Sequence, residues 1–190
     1  MPNWCWNHLT VTGDEKELQE FVEKSTNTKK FVGLNYIDTE FSFEGTLPRG
    51  DREDWYNWSI ENWGTKWDAC EPHIDNNDKK YFAVTFDTAW SPPIAWLENI
   101  VHMFPKLYFH LEYDECGMCF AGIFIIQHDK VYEDKCWDTE SASDCCHAEI
   151  DWEHPEYDYC CTMCGEETET VTIRKDTIKR NLNYEYKYEK

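Results

Sequence analysis

The sequence predicts an α+β fold of the ferredoxin-like sandwich type, an antiparallel sheet with two helices on one face, carrying an acidic, Cys-rich insertion. Three observations predict it. Several short segments alternate apolar and polar residues with the period of two that a half-buried strand needs. Two other segments space their apolar residues as a helix does. The segments follow one another as strand, helix, weak strand, strand, helix, strand, with a further strand after them, the order such a sandwich requires.

Residues 4–12 put Cys5, Leu9 and Val11 on one face and Trp4, Trp6, His8 and Thr10 on the other, and Gly13 ends this first strand. From Asp14 the spacing changes. Acids occupy the first turn, at the positive end of the helix dipole, and Leu18, Phe21 and Val22 form the stripe of a helix of about three turns. Residues 36–43 read as a weaker extended segment leading to Leu47 and Pro48. In 51–70 the tryptophans Trp55, Trp58, Trp63 and Trp67 stand in a polar setting, and Gly64 breaks any helix begun near Asp51. YFAVTFD at 81–87 is a strand with Phe82, Val84 and Phe86 inward. Ser91, Pro92 and Pro93 make a helix entry, with the serine expected to cap free amides. Ile94, Leu97, Val101 and Phe104 are the buried stripe of that helix, and Pro105 closes it. Strands follow at 107–113 and 120–126, and TETVTIRK at 168–175 returns as another. Residues 1–132 are therefore expected to form the core, with a Trp-rich excursion at 44–80. Residues 133–167 form the insertion, and 168–190 a returning strand with a polar tail.

Charge divides the chain unevenly. Of a formal net charge of −20, residues 133–170 supply −12, holding thirteen acids against one lysine, together with six of the ten cysteines. A segment so acidic and so poor in aliphatic residues cannot order itself by apolar burial, so another agent must. The same charge repels nucleic-acid backbones and anionic lipid, and favours a basic partner. The N-terminus lacks a basic stretch followed by an apolar run, and no long apolar window occurs, so a soluble, cytoplasmic protein is expected. In that reducing compartment the cysteines read as thiols or metal ligands.

The strings MPNWCWNHLTVTG at the start, NWGTKWDA at 62–69, TAWSPP at 88–93 and ECGMCFAG at 115–122 resemble a family of phage- and plasmid-borne proteins of obscure function with a YubB-type ferredoxin-like domain. The resemblance spans roughly residues 1–130. It implies the same fold and a mobile-element origin, and it carries no catalytic residues over. The acidic Cys-rich segment stands outside the pattern it covers.

Cys161-Thr-Met-Cys164-Gly165 is a knuckle motif in which backbone amides turn toward two thiolates on one metal. The second pair is expected from the loop upstream, as Cys145 and His147, with Cys136 and Cys146 as alternates. Free buried thiols and redox chemistry are the competing readings. Three thiolates and one imidazole would fill a tetrahedral zinc and leave no place for water, which makes the metal structural. Cys116 and Cys119 form a second CxxC in a predicted turn, read chiefly as packing, and Cys5 and Cys70 read as core thiols. No glycine-flanked nucleophile or phosphate-cradling loop is present. The tryptophans read as packing residues, or as exposed interface anchors, because a base-stacking platform needs a basic groove.

The expected function is therefore non-enzymatic. A phage-encoded accessory protein would present Asp138, Asp144, Glu149, Asp151, Glu153, Glu156 and Asp158 as a nucleic-acid mimic. Its partner would be the basic surface of a host nucleic-acid-binding or defence complex of the restriction or CRISPR type. Two alternatives stand beside it. One is a small nucleic-acid processing enzyme with a basic groove from Lys175, Lys179 and Arg180, and the other a purely structural zinc-binding protein.

Overall fold

The computed structural model describes residues 3–32, 35–152, 158–164 and 166–180. Two compact units emerge: Met1–Met118 with Gly122–Cys136, and Cys119–Ala121 with Trp137–Lys190. The division falls within a strand, a few residues beyond the boundary at 132 that the sequence suggested.

The first unit is built on β1 (Trp4–Gly13), α1 (Glu15–Ser25), β2 (Thr26–Val32), β3 (Asn35–Phe41), α2 (Trp55–Trp63), β4 (Cys70–Asn77), β5 (Tyr81–Ala89), α3 (Ile94–Ile100), β6 (Leu107–Glu115), β7 (Phe120–Gln127) and the first half of β8 (Lys130–Ser143). Its sheet runs β8-β7-β6-β1-β5-β4, while β2 and β3 form a separate antiparallel ribbon. Central β1 pairs antiparallel with both neighbours, so that Leu9 lies opposite Val84 and Leu111. Three helices and this broader sheet replace the two-helix sandwich that the periodicity predicted.

Alternation decides the faces. Cys5, Asn7, Leu9 and Val11 are buried, and the odd-numbered residues of β6 are buried with them. Helix α1 is capped by Asp14, whose carboxylate accepts from the Glu17 amide at 3.2 Å. It lays Phe21 edge-on against Phe82, Phe104 and Phe109 at 5.5–5.9 Å. Trp96 packs on Phe43 at 4.5 Å, and buried Trp63 donates its indole N–H to the Leu47 carbonyl at 3.0 Å. Each such ring contributes about 1.5–3 kcal/mol of apolar burial. The Trp-rich excursion is thus tied down mainly through Trp63, while Trp55 keeps 38% of its surface exposed.

Three polar details correct or complete the reading. Ser91 does not cap α3: its hydroxyl donates to the Gly64 carbonyl at 2.6 Å, joining the end of α2 to the entry of α3, and Pro93 occupies the cap position. Cys5 is a core thiol pushed up to about 12 by burial, but Cys70 is only half-buried. Asn7, fully buried on the core face of β1, donates through Nδ2 to the Cys5 carbonyl at 2.8 Å and to Thr88 Oγ1 at 2.9 Å.

In the second unit the end of β8 continues as one arm of a ribbon. After a loop come the short β9 (Ile150–Asp151) and β10 (Cys160–Cys161), which pair with one another. Then β11 (Thr170–Arg174) pairs antiparallel with β8, Thr170 opposite Ser143. The expected returning strand is therefore present. Lys179 then lies beside the loop, donating to the His147 carbonyl at 2.8 Å and accepting from the Glu149 amide at 3.1 Å. Residues 181–190 of the expected tail lie outside the described residues. No described helix is long and apolar enough to cross a membrane.

Candidate metal centre

Two turns of the second unit bring four sulfurs together. The first follows β8, where buried Ser143 closes a loop on itself. Its carbonyl accepts from the His147 amide at 2.8 Å, its own amide donates to the Ala148 carbonyl at 2.9 Å, and its hydroxyl accepts from the Ala148 amide at 3.0 Å. This curl carries Cys145 and Cys146. The second turn follows β10: the Cys161 amide donates to the Glu166 carbonyl at 3.0 Å, folding Thr162, Met163 and Cys164 into a knuckle. Thr162 locks it down, its amide and hydroxyl both donating to the Glu149 carbonyl.

The ligand atoms of Cys145, Cys146, Cys161 and Cys164 all lie within 4.8 Å of one another, and the Cys145 and Cys164 sulfurs are 3.7 Å apart. Four thiolates held tetrahedrally at about 2.3 Å from an ion stand about 3.8 Å from each other, whereas a disulfide requires about 2.05 Å. The spacing is that of ligands sharing an ion, so these four residues can hold a metal. Burial opposes ionisation of Cys161, yet the Ser143 hydroxyl and the Cys164 and Met163 amides outweigh it and bring the thiol down to about 6. Cys146 is pushed up to about 12, first by its hydrogen bond with Cys145 and then by desolvation. At Cys164 the Glu166 amide pulls downward, but burial and the neighbouring thiols leave it raised. The lowered thiol is the buried member of the group.

The group differs from the expected ligand set in one member. Cys145, Cys161 and Cys164 are brought together, but the fourth sulfur belongs to Cys146, and exposed His147 is not in the group. The reason is the curl: with His147 at a left-handed φ of 51° and its amide bound back to Ser143, the chain turns at Cys146. Cys136 belongs to the first unit, beside the Tyr113 hydroxyl, where burial first and then the Cys136 thiol raise that phenol.

The predicted partner-binding acids are placed unequally. Asp138, Asp144 and Asp158 are exposed and form no ion pair among the described residues. Glu149 is half-buried and meets Arg180 at 3.0 Å. Asp151 is fully buried, which corrects its expected surface role: a carboxylate inside the β9–β10 hairpin cannot reach a partner. Glu153 and Glu156 lie outside the described residues. Of the residues considered for a processing enzyme's basic groove, Lys175 pairs with Glu140 at 3.4 Å and Arg180 with Glu149 at 3.0 Å.

Residues 62–174 match the model of a family described as the ferredoxin-like domain in Api92-like protein. The matched range brackets the Cys-rich segment, which the sequence reading had set outside the family pattern. Among solved structures, protein api92 from Yersinia pseudotuberculosis is similar, with a TM-score of 0.55 and 8% sequence identity over 73% of this chain and 98% of that one. At that identity the likeness speaks for the fold alone. No curated protein matches the chain significantly.

Proposed function

The chain belongs to the family of Api92-like ferredoxin-like domains, and from that premise we propose that it is a non-enzymatic docking protein. Its second unit, braced by a structural zinc ion, presents fixed carboxylates to the basic surface of a nucleic-acid-binding protein. One observation carries this reading: a four-sulfur cluster at ligand spacing in the same unit as the exposed acids Asp138, Asp144 and Asp158, which form no ion pair among the described residues.

An all-sulfur tetrahedral set suits zinc, and four protein ligands leave no coordination position for a reacting water. Such an ion folds loops that cannot fold by apolar burial. It also leaves the field intact. By sequence, residues 137–180 hold twelve acids against four bases, and four thiolates on a divalent ion add about two further negative charges. The solvent-exposed pairs of Lys175 and Arg180 are each worth only about 0–1 kcal/mol and do not quench it. Carboxylates held in place on that support speed encounter with a positive channel and compete there with phosphate. Restriction and CRISPR-type complexes are targets of this class.

Metal analysis of the untagged protein tests the brace: about one zinc per chain is expected, lost in Cys146→Ala and retained in His147→Ala. Capture from a bacterial lysate tests the docking. Basic nucleic-acid-binding proteins should be recovered at about 50 mM salt, displaced by DNA or RNA and lost near 500 mM. Recovery of no such protein at low salt overturns the docking reading, whatever the metal content.

A further inference from the structure

In the first unit the aromatic core packs on one face of the sheet, and on the opposite face β1 displays a ladder. Trp4 and Trp6 are 42% and 43% exposed, Trp6 stacks on His8 at 6.1 Å, and Trp4 meets Trp67 at 5.9 Å. The steps at Trp6 and His8 have carboxylates beside them, whereas Trp4 stands opposite Ala89. Trp6 stands opposite Asp87 on β5 and Asp114 on β6, and His8 stands opposite Glu112 with Asp75 at 3.9 Å. Among the described residues no lysine or arginine pairs with Asp87, Asp114 or Glu71. Partial burial and then the Glu71 carboxylate hold Asp87 above the usual carboxylate range, as an acid without a cation would be.

We propose that this face is a second docking surface, which takes an extended peptide segment of a protein partner bearing arginine or lysine at alternate positions. Residues two apart on a strand are about 6.8 Å apart, and an extended peptide repeats its side chains at the same interval. One cation can lie on the Trp6 indole while reaching Asp87 or Asp114, and the next along the peptide can meet Glu112 and Asp75 beside His8. The chain already makes the first half of this contact within itself: Lys66 Nζ stands 4.6 Å from the Trp67 ring and 5.1 Å from that of Trp90. Bases stack on aromatic ladders too, but phosphates would then run along Asp87, Asp114 and Glu112, where like charge repels them.

Calorimetric titration of the full-length protein with a peptide of alternating arginine and threonine is the test, set against a peptide of the same composition with its arginines in one block. The alternating peptide should bind about tenfold or more tighter. Trp6→Ala should weaken it by about tenfold, Trp6→Phe should restore most of the loss, and Asp87→Asn with Asp114→Asn should weaken it and flatten its salt dependence. Asp144→Asn with Asp158→Asn, in the other unit, should leave it unchanged, so that failure of the zinc-braced reading and failure of this one are told apart. Equal binding of the two peptides, no effect of the Trp6 and aspartate variants, or Trp6-dependent binding of a single-stranded oligonucleotide would each overturn the proposal. Should Trp6→Ala not fold, the aspartate pair and the comparison of the two peptides carry the test.

Discussion

Glu44 is buried with its carboxylate turned inward. One oxygen accepts from the Arg49 and Gly50 amides at 3.0 and 3.2 Å, and the other lies 3.9 Å from the Arg49 guanidinium. Burial raises its pKa, the Gly50 amide opposes the rise, and Asp68 adds to it. A raised folded value means stability that is complete below the unfolded pKa, near 4.5, and is lost as pH climbs through the folded one. Glu44→Gln is expected to remove this component, so its melting temperature should fall less than the wild type's between about pH 4 and 7. A steeper fall would contradict the assignment. Residue by residue, the thiols were partly legible in the sequence. The CxxC announces a knuckle because spacing alone sets its geometry. Whether Cys146 or His147 completes the group depends on backbone bonds to Ser143, which no spacing encodes.

At the scale of elements, legibility follows the contrast between the two faces. Strands β1, β5 and β6 bury one side against helices, and their alternation is plain in the sequence. The weaker extended segment read at 36–43 is β3, but its partner β2, strand β4 with its proline, and the long β8 were missed. Strand β4 alternates, but its inner face is only half-buried and its proline reads against a strand, while most of β8 is exposed on both faces and carries no hydrophobic period. Helix α2 was not among the two helices expected, but its stop signal was legible. Gly64, at a φ of 79°, donates to the Ser59 and Ile60 carbonyls, and a Cβ there would stand 3.3 Å from the Pro92 carbonyl and the Ala95 amide. Gly64→Ala is expected to cost about 1–2 kcal/mol, lowering the melting temperature by about 2–8 °C in a thermal scan. Trp90, at a φ of 71°, already holds that conformation at a cost of about 1–3 kcal/mol.

For the molecule as a whole, the two units rest on different physics. The first is held by aromatic burial, and the second is stitched by short ladders around four sulfurs. Chelation should therefore act selectively. After metal removal, limited proteolysis is expected to cut within 137–180 while a fragment ending near 136 persists, read by mass spectrometry; uniform resistance would show that the brace is dispensable. In the first unit, by contrast, the apolar pattern leaves one choice unmade. A one-residue slip of β1 would turn its oily side to water, but a two-residue slip would keep that side inward and satisfy hydrophobicity almost as well. The buried Asn7 amide bears on that choice: a slip that brings it opposite Val84 takes away Thr88 Oγ1, at 2.9 Å in the native register, and leaves it the Cys5 carbonyl of its own strand. A single polar side chain thereby acts as a one-way keyway of the sheet, sacrificing some cohesion to disfavour one near-degenerate competitor.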